Sequence, residues 1–156
     1  MLEIIVPGYR TFEFETLILD YNGTLARDGL LLDGVSSLLP TLATSLKVYV
    51  LTADTFGGVR SELDTVAVEV SIIPGENQHM HKLDFVKKIG SERSVCIGNG
   101  WNDHLMLQEA ALGIAVCQEE GAARESILAA DVVCPDILSA LSLLTHPMRL
   151  MATLRR

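Results

Sequence analysis

The stretch Leu17-Ile-Leu-Asp20-Tyr-Asn22-Gly-Thr24-Leu determines how the rest of this chain is interpreted. Consecutive aliphatic residues followed by a carboxylate are typical of a buried parallel strand that ends at a ligand-binding crevice. There the Asp20 carboxylate could attack phosphorus and form an aspartyl phosphate. The backbone N–H groups that follow it, from Tyr21 and Asn22, could bind phosphoryl oxygens. The alternative is an aspartate that only caps a turn.

Short apolar runs alternate with segments of helical periodicity along the chain. The runs lie at 17–19, 48–51, 66–73, 95–97, 114–117 and 132–134, and the helical segments lie at 35–46 and near 56–64, 78–90, 102–112, 121–130 and 136–145. This alternation predicts an α/β fold, a doubly wound Rossmann-like parallel sheet with helices on both faces. Polar residues alternate with valine in the 66–73 run, which predicts a strand near the edge of the sheet.

Both ends of the chain are expected to add an element to this core. Residues 1–15 contain two strand-like runs around Pro7-Gly8, a pattern that predicts an N-terminal β-hairpin. Residues 147–156 mix arginine with methionine and leucine, which fits a short amphipathic tail helix. A chain of 156 residues with 49% hydrophobic content fits one domain over 1–156 with one core.

Composition excludes several classes of function. Lys plus Arg is 12 against Asp plus Glu 20, a net charge of -8, so no broad basic surface can bind nucleic acid. No uncharged apolar run reaches the ~18 residues of a spanning helix, and the N-terminus lacks a secretory pattern. We therefore expect a soluble, cytoplasmic protein with no membrane partner. Cys96, Cys117 and Cys134 form no CxxC pair and are expected to be buried, reduced thiols.

Two further motifs offer groups that could bind a phosphoryl group. One predicted strand ends in Thr52 and Ala53, whose hydroxyl and backbone N–H could donate to phosphoryl oxygens. Thr52 is alternatively a helix N-cap. Lys82 lies near a predicted helix start, where its ammonium could neutralise phosphoryl charge and hold Asp20 ionised. A solvated surface lysine is the alternative for Lys82.

The last motif is the segment 98–103, Gly-Asn-Gly-Trp-Asn-Asp, a glycine turn between a strand and a helix. Oxygen ligands from this turn, placed opposite Asp20, would suit Mg²⁺. Alternatively, the glycines only form the turn, and Asp103 only favours the helix dipole. Trp101 could stack on a substrate at the rim, pack on a partner chain, or be partly buried at the helix start.

Asp20, Thr52, Lys82 and Asp103 follow one another at intervals of 32, 30 and 21 residues, each about one β-α unit. With these motifs the chain resembles, over about residues 16–135, the haloacid-dehalogenase-like (HAD) phosphohydrolases, whose motifs read D-x-D-G-T, a strand-end Thr or Ser, a Lys, and G-D-G-x-N-D. Within that superfamily it is most similar to stand-alone soluble relatives of the P-type ATPase phosphorylation domain. The matching stretches are 19–25, 50–57, 97–103 and 112–116.

The resemblance implies a Mg²⁺-dependent hydrolase, a phosphatase or phosphotransferase. It implies that Asp20 is the nucleophile and that Thr52 and Lys82 bind the phosphoryl group. It also implies that Asp20, the main-chain carbonyl of Asn22 and Asp103 hold Mg²⁺.

The chain departs from the family pattern at two positions. Asn22 stands where most of these phosphatases carry an aspartate as general acid and base, a role that contributes about 10²–10⁴-fold to a rate. Hydrolysis is therefore expected to be slow and the phosphoenzyme long-lived, as in the P-type ATPases. Asn99 stands in place of an aspartate at the metal site, which should weaken Mg²⁺ binding. The two amides also permit a regulatory module that binds Mg²⁺ and phosphate without turnover.

Only short connections follow the first two motifs, which predicts a capless site. An open site suits a phosphorylated small molecule or a phosphoprotein, or a homo-oligomer in which a neighbouring subunit covers it. A receiver-like signalling domain also places a strand-end Asp, a Thr or Ser and a Lys around Mg²⁺. The glycine turn at 98–103 and the lack of an acidic pair at the first strand's end disfavour that alternative.

Overall fold

The computed structural model describes residues 1–54 and 57–156 of the chain. Within these two ranges there are ten strands: β1 (Leu2–Val6), β2 (Arg10–Phe14), β3 (Thr16–Asp20), β4 (Ala26–Arg27), β5 (Leu30–Leu31), β6 (Lys47–Thr52), β7 (Glu69–Ile72), β8 (Ser94–Gly98), β9 (Leu112–Val116) and β10 (Val132–Cys134). Six of them form a parallel sheet in the order β10-β9-β8-β3-β6-β7. The predicted doubly wound parallel sheet is thus confirmed.

Helices cover both faces of this sheet, as predicted. They are α1 (Val35–Ala43), α2 (Val59–Glu62), α3 (Gln78–Ile89), α4 (His104–Glu109), α5 (Arg124–Ala129), α6 (Ile137–Thr145) and α7 (Pro147–Leu154). Successive side chains of β3 point to opposite faces. Leu17 packs in one core cluster with Leu39 of α1 and Leu141 of α6, whereas Ile18 packs in another with Val86 of α3.

Four predicted helical segments differ from the observed helices, and one of them, predicted at 121–130, is helical only over α5. α1 ends at Ala43 instead of near residue 46, because Thr44 closes a turn on the carbonyl of Thr41 and the chain must be extended again at Lys47. The segment predicted at 102–112 is divided into a 3₁₀ turn, Trp101–Asp103, and α4. Of the segment predicted at 56–64, only α2 is helical, and its first predicted residue lies outside the described ranges.

The sheet order separates this fold from that of receiver domains. Counted along the chain, the parallel strands lie in the order 6-5-4-1-2-3, whereas receivers have the order 2-1-3-4-5. The strand that ends at Asp20, β3, lies between β6 and β8 at the centre of the sheet. Its carboxyl end is therefore at the point where the strand order reverses, which is where open α/β sheets bind ligands.

The strand β7 lies at one edge of the sheet, as its polar alternation predicts. It is shorter than the predicted run, and the Ile72 side chain is exposed. A small hairpin of β4 and β5 after Asp20 was not predicted. Its turn contains Asp28 and Gly29, both with positive φ, so the Asp-Gly pair was a hairpin signal available in the sequence.

The predicted N-terminal hairpin is present and is part of the core. β1 and β2 pair antiparallel and bury Ile4, Val6, Phe12 and Phe14. The end of the chain also contacts this hairpin. The Arg156 N–H donates to the Pro7 carbonyl at 3.2 Å, and the Arg156 guanidinium lies 4.0 Å from the centre of the Tyr9 ring. The two ends of the chain are thus packed against each other.

The cysteines follow the prediction only in part. All three are free thiols, and Cys96 and Cys134 are buried as expected. Burial raises the pKa of the Cys96 thiol far above its ordinary value. Cys117 is exposed, which corrects the prediction, because β9 ends at Val116 and Cys117 lies in the loop beyond it.

Within residues 1–54 and 57–156, no single helix is long and apolar enough to cross a bilayer. Only α6 and α7 taken together pass by length and composition, and they are bent by 100° relative to each other.

Gly113 in β9 provides a direct test of packing between the sheet and α4. A Cβ at this position would lie 2.2 Å from the Leu107 carbonyl oxygen, so Gly113→Ala should lower the free energy of unfolding by about 1–3 kcal/mol. Urea denaturation measures the change. Gly75→Ala is the matched control, because nothing lies within 4 Å of a Cβ there. Equal stability of the two variants would contradict the described packing of β9.

Candidate functional site

Predicted site residues converge on one cleft at the carboxyl edge of the sheet. Asp20 and Thr52 are the last residues of β3 and β6, and Asn99 follows β8 directly. The cleft has a volume of about 470 Å³. It is lined by Asp20, Asn22, Thr52, Ala53, Gln78, Asn99, Gly100, Trp101, Asn102 and Glu120. The cleft thus brings together groups from five separate segments of the chain.

Lys82 lies beneath the cleft and joins two acidic residues. Its Nζ lies 2.7 Å from Asp20 Oδ1 and 2.6 Å from Asp103 Oδ1, and the side chain is only 1% exposed. Asp20 shares its side of β3 with Ile18, and α3 covers that side. Lys82 lies one turn before the buried Val86, so it faces the sheet. The alternative of a solvated surface lysine is therefore wrong.

This buried cluster carries two carboxylates and one ammonium group. Burial and then the charge of Asp103 raise the pKa of Asp20 to about 6, against the lowering effect of Lys82. Burial by itself would lower the pKa of Lys82, but the two carboxylates outweigh it and raise that pKa overall. With all three groups ionised the cluster has one net negative charge, so a cation placed beside Asp20 is electrostatically favoured.

Asp103 is turned towards the protein and away from the cleft. Its Oδ1 accepts from Lys82, and its Oδ2 accepts from the backbone N–H groups of Asn99 at 3.0 Å and Gly100 at 2.9 Å. A Cβ on Gly98 would lie 2.5 Å from Asp103 Cγ, so only glycine allows this approach. Both oxygens already accept hydrogen bonds from the protein, and the arrangement favours a positioning role over direct metal ligation.

Thr24 is a site residue that was missed from the sequence. It is fully buried, and its Oγ1 lies 3.1 Å from Asp20 Oδ2 and 3.4 Å from Asn99 Oδ1. Gln118 was missed as well: its Nε2 donates to the carbonyls of Gly23 and Thr24, both at 3.0 Å. Gln118 lies two residues after the end of β9. This position just beyond a strand could have indicated Gln118 from the sequence.

Thr52 and Ala53 line the cleft where the sequence predicts phosphoryl binding. The Thr52 Oγ1 accepts from the Asp54 N–H at 3.1 Å, which leaves its own hydrogen free to donate. The helix α2 begins only at Val59, so Thr52 is not an N-cap. Tyr21 is buried and its hydroxyl donates to the Gly29 carbonyl at 2.9 Å, so only its backbone remains for a phosphate.

The oxygen atoms of the cleft fit a hard cation such as Mg²⁺. Among the described residues, Asn22 Oδ1 is the one buried side-chain polar atom without a hydrogen-bond partner. Asp20 Oδ2 and Asn99 Oδ1 approach the same Thr24 hydroxyl, so they lie near each other. The described ranges hold no group of three or more His, Cys, Asp or Glu that could bind a metal. Amide or carbonyl oxygens must therefore complete such a site.

Comparison with known proteins identifies one relative by sequence. No family model matches the chain. It is 46% identical over 69 residues to the uncharacterized protein MJ0073 of Methanocaldococcus jannaschii, a match that covers 44% of this chain and 74% of that protein.

Three solved structures illustrate the likeness of fold. Cobalt-bound deoxy-D-mannose-octulosonate 8-phosphate phosphatase of Haemophilus influenzae has a TM-score of 0.70 at 13% identity, covering 92% of this chain and 94% of that one. The 3-deoxy-D-manno-octulosonate 8-phosphate phosphatase of Moraxella catarrhalis, in complex with magnesium, phosphate and KDO, has a TM-score of 0.65 at 14% identity. That match covers 91% of this chain and 94% of the phosphatase. BT1666 of Bacteroides thetaiotaomicron, a phosphatase of the HAD superfamily, has a TM-score of 0.61 at 12% identity. That match covers 91% of this chain and 96% of BT1666.

At these identities the structural likeness establishes the fold, and the sequence match to MJ0073, which covers 74% of that protein at 46% identity, establishes the family. The central parallel sheet, the helices on both faces and the site at the reversal of strand order all agree with that fold. The chain therefore belongs to the family of MJ0073 and has the fold of the haloacid-dehalogenase-like superfamily.

Proposed function

We propose that this protein is a Mg²⁺-dependent phosphohydrolase or phosphotransferase that acts through an aspartyl phosphate on Asp20. The observation that carries the proposal is the Asp20 carboxylate, which lines the cleft at the end of the central strand β3 and is hydrogen-bonded to the buried Lys82. The ammonium group holds the carboxylate in place and offers positive charge where phosphoryl charge develops. Thr52 and the Ala53 N–H line the same cleft and would donate to phosphoryl oxygens.

The chemistry would proceed in two displacements at phosphorus. A carboxylate oxygen of Asp20 forms a bond to phosphorus, the bond to the leaving-group oxygen breaks, and that oxygen takes the electron pair. Water, or an acceptor hydroxyl in a transferase, then attacks the phosphoryl group and frees the carboxylate. The second step ends with the phosphoryl group on the attacking oxygen and a proton released to solvent.

The Mg²⁺ ion would be held by Asp20, the Asn22 main-chain carbonyl and Asn99 Oδ1. When bound, it would supply positive charge to the phosphoryl oxygens and orient the substrate. Asp103 would act indirectly, because it fixes Lys82 and the backbone around Asn99. The structural neighbour from Moraxella catarrhalis contains magnesium and phosphate, which is consistent with this choice of ion.

Asn22 would make the proposed enzyme slow. An amide can donate or accept a hydrogen bond, but it cannot deliver a proton to the leaving group or take one from the attacking water. Substrates whose leaving group departs without a proton are therefore favoured in the first step. The proposed substrate is a phosphorylated small molecule or a phosphoprotein in the cytoplasm. A second copy of the chain could also cover the open cleft in a homo-oligomer.

A regulatory module that binds Mg²⁺ and phosphate is the second candidate function. The amides at Asn22 and Asn99 favour it, because both stand where the resembled enzymes use carboxylates. Turnover distinguishes this candidate from a slow enzyme.

The first test is phosphate release from acetyl phosphate, whose leaving group needs no protonation. We expect release that requires Mg²⁺ and that falls to background in Asp20→Asn. This substitution is nearly isosteric and leaves Lys82 paired with Asp103, so the variant should remain folded. Circular dichroism checks the fold. A folded wild type without Mg²⁺-dependent release, or an Asp20→Asn variant with undiminished release, excludes the proposed enzyme.

A further inference from the structure

The wall of the cleft carries an exposed tryptophan. Trp101 lines the same cleft as Asp20, and 51% of its surface is exposed. Within residues 1–54 and 57–156, every other Phe, Tyr or Trp side chain is buried or half-buried. Burial of a large aromatic side chain is strongly favoured, so an exposed one beside a ligand cleft points to contact with a ligand.

The Trp101 ring is held in place by its neighbours. The rings of His79 and His104 lie 4.8 Å and 4.7 Å from it, centre to centre. His104 Nδ1 donates to the Trp101 carbonyl oxygen at 2.6 Å, and Asp103 anchors the backbone of the same turn. A ring that is already ordered loses little conformational entropy when a planar group stacks on it.

A separate argument concerns the leaving group. Because Asn22 cannot protonate it, the leaving oxygen must depart as an anion. A phenol, with a pKa of about 10, leaves as an anion much more readily than an alcohol, whose pKa is far higher and close to that of water. Proton chemistry therefore favours phenolic esters over alkyl esters, independently of the tryptophan.

We propose that the cleft selects phosphate monoesters of phenols, with the aromatic ring stacked on Trp101 and the phosphoryl group at Asp20. The catalytic part of this inference rests on the proposed function, whereas the recognition part does not. Asp20 bonds to phosphorus while the P–O bond to the phenol breaks, and the phenolate then takes a proton from solvent. The capless cleft admits the ring from a free aryl phosphate or from a phosphotyrosyl peptide.

Binding tests this selectivity without any turnover. Trp101 is the only tryptophan, so its fluorescence reports directly on the cleft wall. In the Asp20→Asn protein with Mg²⁺, phenyl phosphate should change this fluorescence and bind about fivefold to tenfold tighter than methyl phosphate. Equal affinities, or no binding of either compound, would overturn the inference. A phosphotyrosyl peptide titrated in parallel shows whether the aryl group is recognised free or on a polypeptide.

Variants of Trp101 connect the selectivity to the ring. Measured by calorimetry in the Asp20→Asn background, Trp101→Ala should bring the phenyl-to-methyl affinity ratio close to one, and Trp101→Phe should retain most of it. Met148→Ala removes another exposed apolar side chain, on α7, and is the matched control. An unchanged ratio in Trp101→Ala refutes the assignment. Selective aryl binding in a protein that releases no phosphate from acetyl phosphate would instead leave recognition intact and remove only the proposed catalysis.

Discussion

Replacing Asn22 with aspartate should raise the rate of phosphate release from acetyl phosphate by about 10²–10⁴-fold, the usual contribution of general acid–base catalysis. This corresponds to about 3–5 kcal/mol of barrier height. Asn22 lines the cleft beside Asp20, and its Oδ1 is buried without a hydrogen-bond partner among the described residues. A carboxyl group there can activate the water that attacks the phosphoenzyme. Steady-state phosphate release and the level of phosphorylated protein measure the gain.

The control for this variant is Asn102→Asp, which adds a carboxylate to the same cleft at another amide position. Asn102 donates to Gln78 Oε1 at 2.8 Å and lies in the turn that follows β8, whereas Asn22 follows the neighbouring strand β3. We expect no comparable gain there. If Asn22→Asp folds and binds Mg²⁺ but releases phosphate no faster than the wild type, the missing proton transfer is not what limits this protein, and the regulatory module becomes the better account.

Lys82→Met should lower the free energy of unfolding by about 3–5 kcal/mol, the cost typical of removing one partner from a buried ion pair. The substitution leaves the Asp20 and Asp103 carboxylates close together and without their shared cation. Urea denaturation at neutral pH measures the loss. Lys87→Met, on the exposed side of the same helix, is the matched control and should change the stability by less than about 0.5 kcal/mol.

The dependence of this loss on pH provides a second check. Without Lys82, the pKa of Asp20 rises further above its unfolded value, so the folded state takes up protons more readily than the unfolded chain. Because that pKa then lies above the value of about 6 that Asp20 has beside Lys82, stability of the variant should increase as the pH falls from neutral towards the ordinary value of 3.8. A double variant with Asp20→Asn should recover part of the loss at neutral pH. A loss that is the same at every pH would show that packing, and not charge, is what Lys82 contributes.

Much of the fold could be predicted because each core strand is a short apolar run. The strand ending at Asp20 and its parallel partners follow from this pattern, as does the edge position of β7. Helix ends were harder to predict, since they depend on caps. The hydrogen bond from the Thr44 hydroxyl to the Thr41 carbonyl accompanies the end of α1 at Ala43, although leucines continue the helical periodicity to Leu46.

The candidate site was only partly predictable for a similar reason. Spacing after strands led to Asp20, Thr52 and Lys82, which the fold brings to one edge of the sheet. Spacing could not reveal that both carboxylate oxygens of Asp103 accept hydrogen bonds from Lys82 and the backbone. This arrangement depends on the close approach of Asp103 to Gly98. Thr24 was missed although it matches the last residue of the D-x-D-G-T motif, because the sequence alone does not show that its hydroxyl hydrogen-bonds to the Asp20 carboxylate.

The central position of β3 also has a consequence for the order in which the chain folds. Thr24 and Asn99 are 75 residues apart in sequence, and Asp20 and Lys82 are 62 apart. During synthesis the strand that ends at Asp20 emerges before β8 and before its ammonium partner Lys82, and it remains without both until those segments have followed. Contacts of such long range close late and slow folding. The cleft therefore cannot assemble on a nascent chain before the segment that contains Asp103 has left the ribosome.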